Sequence, residues 1–200
     1  MVVTISGSSG VGKTTIEKNL LKRLANAEVV VSVTTRKKRN NDNPGEYQYV
    51  SKFWFRLLDK LGAFLWTVNI HGNLYGTLES SVRKALKRYD DFSLMILVPD
   101  RVKNLMSYAR ERGYEESVKS FYILSPSPEI LKKRLQDRGD SEFEIAKRIR
   151  DCKQWDNQAG ADAYVGKIRY IFISNNTNNV EDAVDKIMSY INGEIDDQLF

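Results

Sequence analysis

A glycine-rich loop near the start of the chain constrains the fold more than any other feature. Residues 7–14 read Gly-Ser-Ser-Gly-Val-Gly-Lys-Thr, directly after the apolar run 2–5 and before the helix-compatible stretch 15–25. In such a strand–loop–helix unit, backbone amides point inward and the helix presents its positive dipole end to an anion. A glycine-rich turn that matches by chance is the alternative, and the setting disfavours it. The pattern predicts binding of ATP or GTP.

The residues of this loop have separate expected roles. Lys13 is placed to reach the outer phosphates, and the hydroxyl of Thr14 is a ligand suited to Mg²⁺. The predicted nucleotide contacts are Gly7, Ser8, Ser9, Gly10, Val11, Gly12, Lys13, Thr14 and Thr15.

Length and composition exclude several classes of protein. A chain of 200 residues is expected to form one compact core with room for a small insertion. No apolar run approaches the roughly 20 residues that span a bilayer, and the first strand leaves no space for a leader peptide. One cysteine excludes an internal disulfide, and one histidine argues against a zinc site. We therefore expect a cytoplasmic protein with no membrane partner.

The net charge of +5 raises the question of nucleic acid. Basic residues cluster at 36–39 and again at 132–134 with Arg138, whereas elsewhere both signs alternate. Two local clusters are typical of phosphate clamps, so nucleic acid is an unlikely partner. Phosphorylation of a nucleotide within DNA or RNA stays open as an alternative.

Apolar and amphipathic segments alternate along most of the chain. Strand-like runs occur at 29–32, 94–98, 120–124 and 170–174, and helix-like segments at 80–89, 102–112, 128–135 and 180–191. This alternation predicts an α/β fold, a P-loop three-layer fold with a mainly parallel sheet. Residues 33–79, with an aromatic-rich helix at 52–61, break the pattern and predict an inserted α+β subdomain. The turn-rich stretch 137–141 predicts a small lid.

Four further motifs carry a family resemblance. They are Ser-Val-Thr-Thr-Arg-Lys-Lys-Arg at 32–39, Gly-Glu-Tyr-Gln-Tyr-Val-Ser at 45–51, Gly-Asn-Leu-Tyr-Gly-Thr at 72–77 and Arg-Leu-Gln-Asp-Arg-Gly at 134–139. With the loop at 7–14, they resemble guanylate kinases in order and approximate spacing, from residue 2 to about 191. The resemblance implies an ATP-dependent nucleoside monophosphate kinase that uses Mg²⁺ and gives a nucleoside diphosphate.

The same resemblance divides the chain. It implies a single domain over 1–200, with a core of 1–32, 80–136 and 149–192. The nucleoside monophosphate is expected on the subdomain 33–79, under a lid formed by 137–148. The implied partners are ATP and a nucleoside monophosphate, and the chain is expected to work as a monomer or a homodimer.

Two arginines three residues apart can both contact one phosphate dianion through charge-assisted hydrogen bonds. By resemblance, the acceptor phosphate is held by Ser32, Arg36, Arg39, Tyr47 and Tyr75. Arg138 and Arg148 match the arginines of the family's lid, and Arg134 and Asn175 are expected beside ATP. The implied catalytic residues are Lys13, Arg39, Arg138 and Arg148.

The sequence departs from this family at the acceptor base. Guanylate kinases hold guanine with carboxylates, and the matching positions here are Trp66, Ile96 and Val98; Thr77 keeps a hydroxyl, and Trp66 offers a stacking surface instead. Asp100 is the nearest carboxylate, either as a substitute Mg²⁺-ordering acid or as a helix-capping residue. Lost hydrogen-bond acceptors leave guanine donors unsatisfied. We therefore expect an altered base specificity, for a pyrimidine, a deoxynucleotide or a modified base.

Two other functions fit part of the pattern. Ribose bisphosphate phosphokinases resemble guanylate kinases but phosphorylate a sugar phosphate that has no base. Guanylate-kinase-like domains of scaffold proteins bind phosphorylated peptides without catalysis, but they typically have degraded phosphate-binding loops.

Overall fold

The computed structural model describes residues 1–38, 42, 45–70, 72–88, 90–176 and 180–195. Its strands are β1 (Val2–Ser6), β2 (Ala27–Val29), β3 (Ser32–Thr34), β4 (Tyr47–Tyr49), β5 (Phe64–Ile70), β6 (Asn73–Leu78), β7 (Phe92–Ile96), β8 (Val118–Ile123) and β9 (Tyr170–Ile173). The α-helices are α1 (Lys13–Arg23), α2 (Lys52–Lys60), α3 (Glu79–Leu86), α4 (Pro99–Arg110), α5 (Pro128–Asp137), α6 (Glu142–Tyr164) and α7 (Glu181–Ile191).

The larger sheet has five parallel strands in the order β2-β7-β1-β8-β9. Its central strand, β1, is buried along its whole length, as expected for a strand covered on both faces. The predicted α/β fold with a mainly parallel sheet is confirmed. Because β1, β7 and β8 run in the same direction, their carboxyl ends meet at the edge where the loop 7–14 begins.

Helices cover both faces of this sheet. On one face, Ile16 and Leu20 of α1 pack with Val184 and Ile187 of α7. On the other face, a second apolar cluster contains residues of α3 and α4, among them Val82 and Leu105. The arrangement is the predicted helix–sheet–helix sandwich.

The second sheet is smaller, with the strand order β4-β3-β6-β5. Only the β3–β4 pair is parallel, and α2 lies against this sheet with Phe55 stacked on Phe64 at 4.6 Å between ring centroids. All its strands fall within the predicted inserted segment, except that β3 begins at Ser32.

The prediction of one strand at 29–32 is wrong. The N–H of Val30 donates to the carbonyl of Leu94 in the larger sheet, whereas the N–H of Ser32 donates to the carbonyl of Glu46 in the smaller one. The apolar run is therefore divided between two sheets, because the chain crosses from one to the other at Val31.

The predicted lid segment 137–148 contains one tight turn and the start of a long helix. α5 ends at Asp137, Gly139 has a φ of +85°, and Ser141 caps α6. Ser141 and Glu144 form a reciprocal capping box, which fixes the start of this 23-residue helix. Residues 142–148 are thus the first turns of α6.

Other predicted helices differ from the observed ones only at their ends, and Tyr89, at the end of the predicted helix 80–89, lies outside the described residues. Among the described residues, none of the helices combines the length and the apolar character needed to cross a membrane.

Candidate functional site

The backbone of the loop 7–14 needs glycine at its turns. A Cβ atom at Gly7, where φ is +138°, would lie 2.5 Å from the carbonyl oxygen of Ile123. At Gly12, where φ is +102°, it would lie 2.7 Å from the side-chain nitrogen of Asn175. Both positions combine a left-handed φ with a close approach, so another side chain would displace the loop. The loop leads directly into α1, with Thr14 and Thr15 exposed in its first turn.

Lys13 lies folded over this loop. Its ammonium nitrogen donates to the carbonyl oxygens of Gly7 and Ser8, each at 2.7 Å. The pKa of Lys13 is lowered to about 8, chiefly by burial; Cys152 opposes the shift, and the positive charge of Arg138 adds to it. A phosphate chain would offer this ammonium a full negative charge in place of two carbonyl dipoles.

Two arginines of the predicted lid reach the same loop. Arg148, in α6, donates to the hydroxyl of Ser9 at 2.5 Å, and Arg138 lies 3.5 Å from the same oxygen. Asp140 forms ion pairs with both, bonding Arg138 directly and lying 3.7 Å from the Nε of Arg148. The structure therefore brings Lys13, Arg138 and Arg148 together around one loop, as phosphoryl transfer requires.

Arg134 and Asn175 lie on the other side of the loop. Arg134 donates to the carbonyl of Asn175 at 3.2 Å, and the Asn175 side chain, which is 4% exposed, donates to the carbonyl of Val11 at 2.7 Å. Burial lowers the pKa of Arg134. A cavity of about 260 Å³ adjoins Arg134 and is also lined by Glu129, Ile130, Lys133 and Asp137.

The smaller sheet aligns the predicted acceptor residues. Ser32 pairs with Tyr47 on one side and with Thr77 on the other, and Thr77 pairs with Trp66. Directly paired residues point to the same face of a sheet, so Tyr47, Ser32, Thr77 and Trp66 form one row across four strands. Tyr75 lies two residues before Thr77 in β6, so its side chain is on the same face of the sheet.

At one end of this row, Arg36 lies above the Tyr47 ring, with 5.0 Å between the guanidinium carbon and the ring centroid. The rings of Tyr47 and Tyr75 meet edge to face at 6.0 Å. The structure thus brings together Ser32, Arg36, Tyr47 and Tyr75. Arg39, the fifth predicted phosphate ligand, lies outside the described residues.

Sequence reasoning missed Asp42 and Tyr49 beside this cluster. Asp42 accepts from Arg36 at 2.8 Å and from the Tyr49 hydroxyl at 2.6 Å. Burial is the main cause that raises the pKa of Tyr49 to about 12, and the hydrogen bond to Asp42 is the next largest. Burial, and after it the negative charge of Glu46, also raises the pKa of Tyr47. Both phenols therefore stay protonated and can donate hydrogen bonds. The period-two spacing of Tyr47 and Tyr49 was the available signal for Tyr49, whereas Asp42 sits in a polar loop without periodicity.

The other end of the row is apolar. Trp66 is 6% exposed and packs in the core cluster that contains Val82 and Leu97, so little of its surface is open to a ligand. Thr77 is 2% exposed. Ile96 ends β7, and Val98 precedes the first turn of α4. The structure therefore shows a hydroxyl and apolar side chains where the resemblance implies carboxylates.

Asp100 lies in the first turn of α4, where a carboxylate favours the helix dipole. Its side chain is mostly exposed and lies 3.4 Å from Lys103, which is itself held by the buried Asp162 at 2.8 Å. Within the described ranges, no group of three acidic, histidine or cysteine side chains is arranged to hold a metal. Of the two predicted metal ligands, Asp100 contacts Lys103, and Thr14 is exposed in the first turn of α1, where a hydroxyl would suit a Mg²⁺ ion that nucleotide phosphates and water complete.

Comparisons with known proteins agree with this geometry. The family model described as "Guanylate kinase" matches residues 1–194. The chain is similar to the guanylate kinase of Thermotoga maritima, with 33% identity over 192 residues, 95% of this chain and 85% of that protein. It is also similar to the guanylate kinase of Clostridium tetani, with 34% identity over 196 residues, which cover 97% of this chain and 86% of that protein. A crystal structure of guanylate kinase from Anaplasma phagocytophilum superposes with a TM-score of 0.67 and 25% identity, covering 97% of this chain and 85% of that one.

The match of the family model over residues 1–194 and the identity to these relatives lead to one conclusion. This chain belongs to the guanylate kinase family, and it is a phosphotransferase, a nucleoside monophosphate kinase.

Proposed function

We propose that this kinase transfers the γ-phosphoryl group of ATP to a nucleoside monophosphate or deoxynucleoside monophosphate whose base is not selected as guanine. The observation that carries the proposal is the row of Tyr47, Ser32, Thr77 and Trp66 across the smaller sheet. It combines a phosphate end that has a guanidinium and hydroxyl donors with an apolar base end.

The length of the row favours a nucleotide over a sugar phosphate. Four adjacent strands span three spacings, roughly 14 Å from Tyr47 to Trp66. That distance suits a phosphate, a ribose and a base laid end to end. A ribose phosphate would leave the Thr77 hydroxyl and Trp66 without a ligand. The ribose bisphosphate phosphokinase alternative is therefore less well supported.

At the phosphate end, the residues supply charge and hydroxyl donors. Arg36 offers a guanidinium, and Tyr47, Tyr75 and Ser32 offer hydroxyls that orient a phosphate without adding charge. We propose that Arg39 supplies the second guanidinium. The acceptor phosphate is a dianion at pH 7, so it is already a nucleophile and no general base is required.

At the donor end, the loop 7–14 holds the triphosphate and Lys13 neutralises charge on its outer phosphates. Arg138, at the end of α5, and Arg148, in α6, contact the loop and stabilise the charge that develops on the transferred group. When bound, Mg²⁺ neutralises the β- and γ-phosphates, and we propose Thr14 as its protein ligand. Asp100 remains a proposed contributor through water. The cover given by 137–148 limits attack by water.

At the base end, the family resemblance would direct the N1–H and the exocyclic amine of guanine to the positions of Trp66, Ile96 and Val98. None of these side chains carries an acceptor, and buried donors left without a partner cost roughly 1–3 kcal/mol each. A base with fewer donors on that edge, such as a pyrimidine, incurs a smaller penalty. Thr77 offers one hydroxyl to orient it.

A coupled assay of ATP-dependent diphosphate formation tests the function. The acceptors are the common ribo- and deoxynucleoside monophosphates and ribose phosphate, with Lys13→Ala as the inactive control. Turnover of one or more nucleotides whose base is not guanine, at a rate that equals or exceeds that of GMP and dGMP, supports the proposal, and turnover of GMP and dGMP alone contradicts it. Turnover of ribose phosphate alone supports the sugar-phosphate alternative, and ATP binding without any transfer supports the phosphopeptide-binding alternative.

The working context follows from the same reasoning. We propose that the protein acts in the cytoplasm, where both nucleotides are available, as a monomer or a homodimer. Size-exclusion chromatography with light scattering separates the two assembly states.

A further inference from the structure

One face of α6 contacts the donor site at three levels. Arg148, Cys152 and Asp156 are spaced four residues apart, so they share a face of the helix. Arg148 bonds Ser9, as described above, and Cys152 and Asp156 continue the contact deeper in the protein. Arg148 and Cys152 therefore attach α6 to the loop 7–14, and Asp156 attaches it to Ser125, which follows β8.

The deeper contacts form a continuous chain of hydrogen bonds. The Cys152 thiol donates to the Ser8 hydroxyl at 2.9 Å, and the Ser8 and Ser125 hydroxyl oxygens are 3.0 Å apart. The Ser125 hydroxyl donates to Oδ1 of Asp156 at 3.1 Å, and the Ser125 N–H donates to Oδ2 at 3.2 Å.

The direction of this chain is determined by its carboxylate end. Each hydroxyl has a single proton, and that of Ser125 is given to Asp156. Ser8 must then donate to Ser125 and accept from Cys152. The Ser8 side chain is 3% exposed, so its hydroxyl is turned away from the nucleotide.

Asp156 receives a further donor from the opposite side. The hydroxyl of the fully buried Tyr122 donates to Oδ1 at 3.0 Å. Burial, and after it the negative charge of Asp156, raises the pKa of Tyr122, so the phenol remains a hydrogen-bond donor. Bonds to an ionised acceptor are about twice as strong as neutral ones, so this end of the chain is its anchor.

Ser8 connects the chain to the catalytic lysine. Its side chain belongs to the hydrogen-bonded chain, and its carbonyl oxygen accepts from Lys13 at 2.7 Å. A change in the position of Ser8 therefore moves a group that holds the ammonium. We propose that Asp156 is a positioning residue of the ATP site. It acts through Ser125 to fix the position of Ser8, and Cys152 joins α6 to the same chain of hydrogen bonds.

Asp156→Asn tests this inference. The amide keeps one acceptor oxygen and replaces the other with a donor, so it can no longer accept from both the N–H and the hydroxyl of Ser125. We expect the dissociation constant of the protein for a non-hydrolysable ATP analogue, measured by calorimetry in the presence of Mg²⁺, to rise about tenfold. This is the size of effect expected for the loss of a hydrogen bond to a charged group. Asp151→Asn is the matched control, because Asp151 is an exposed carboxylate of the same helix. It should leave the dissociation constant unchanged.

Cys152 provides a conservative pair of variants. Cys152→Ser keeps a donor to Ser8 and should bind the analogue like the natural protein, whereas Cys152→Ala removes the donor and should weaken binding severalfold. A purely structural role for Cys152 would not distinguish them in this way, since alanine is the more apolar substitute for a buried thiol.

No acceptor nucleotide is present in these measurements. Their outcome is therefore independent of the proposed base specificity. If Asp156→Asn binds the analogue as tightly as Asp151→Asn does, the inference is overturned. If Asp156→Asn does not fold, Ser125→Ala takes its place: weaker binding supports the inference, and unchanged binding refutes it.

Discussion

The lowered pKa of Lys13 makes ATP binding dependent on pH in a way that can be calculated. In the free protein the pKa is about 8, against 10.5 for an ordinary lysine, because the ammonium is buried among loop carbonyls. Bound phosphates offer negative charge to the ammonium and should return its pKa to the ordinary value or above. ATP binding above pH 8 must therefore take up a proton.

The size of the effect follows from proton linkage. At pH 9 only about a tenth of the free lysine is protonated, so binding should take up about 0.9 protons, compared with about 0.1 at pH 7. Between pH 7 and 9.5, the dissociation constant should rise about 30-fold. Calorimetry in two buffers of different ionisation enthalpy, with Mg²⁺ and a non-hydrolysable ATP analogue, measures both quantities.

Stability changes in the opposite direction and cannot produce this loss of affinity. The folded pKa of Lys13 is depressed, so between pH 8 and 10.5 the unfolded chain binds more protons than the folded one. The contribution of Lys13 to the free energy of unfolding therefore rises with pH in this window. Cys152→Ser removes the nearby thiol and should keep the pH dependence. Proton uptake below about 0.3 at pH 9 would refute the reasoning.

Two substitutions test the separate halves of the site. Gly12→Ala should weaken binding of the ATP analogue about tenfold or more, since a left-handed alanine costs about 1–2 kcal/mol and its Cβ would displace Asn175. Gly113→Ala, with a similar φ of +73° and no atom near the added Cβ, should lower the melting temperature without changing this affinity; equal losses of affinity would contradict the packing argument. Arg36→Ala should raise the acceptor KM about tenfold and leave the analogue's dissociation constant unaltered, because Arg36 contacts only the acceptor side. Steady-state kinetics with calorimetry separates the two effects, and a comparable loss of analogue binding would count against the assignment of Arg36.

The donor site could be predicted well from the sequence because it is local. The glycines, Lys13 and Thr14 occupy one loop between a strand and a helix, and their spacing alone determines how they meet a phosphate. Arg138 and Arg148 are distant in sequence from this loop, and only the resemblance to a family implied their place. In the structure, Arg138 at the end of α5 and Arg148 in α6 both lie beside Ser9, and their role in catalysis stays a prediction.

The acceptor site depends on strand register, which a single sequence does not determine. Tyr47, Ser32, Thr77 and Trp66 come from four strands, and their row exists only because these strands pair in one register. The same limit explains the wrong strand at 29–32, where an uninterrupted apolar run is shared between two sheets.

Side chains that act through other side chains were the hardest to predict. Asp42 beside Arg36, and Asp156 behind Ser125, have no motif or period of their own. Each is recognisable only once the fold has brought it to a partner far away in sequence or across a loop. Cys152 similarly resembled an ordinary packing residue until its contact with Ser8 was seen.

The specificity constant kcat/KM for GMP, divided by that of the best other nucleoside monophosphate, tests the central claim most directly. Sites that pair hydrogen bonds with their substrate reject poor analogues by about 10⁴-fold or more. With Trp66, Ile96 and Val98 in place of carboxylates, we expect GMP to have no such advantage, and another nucleotide to equal or exceed it. A GMP preference of about 10⁴-fold over every other acceptor would contradict the account.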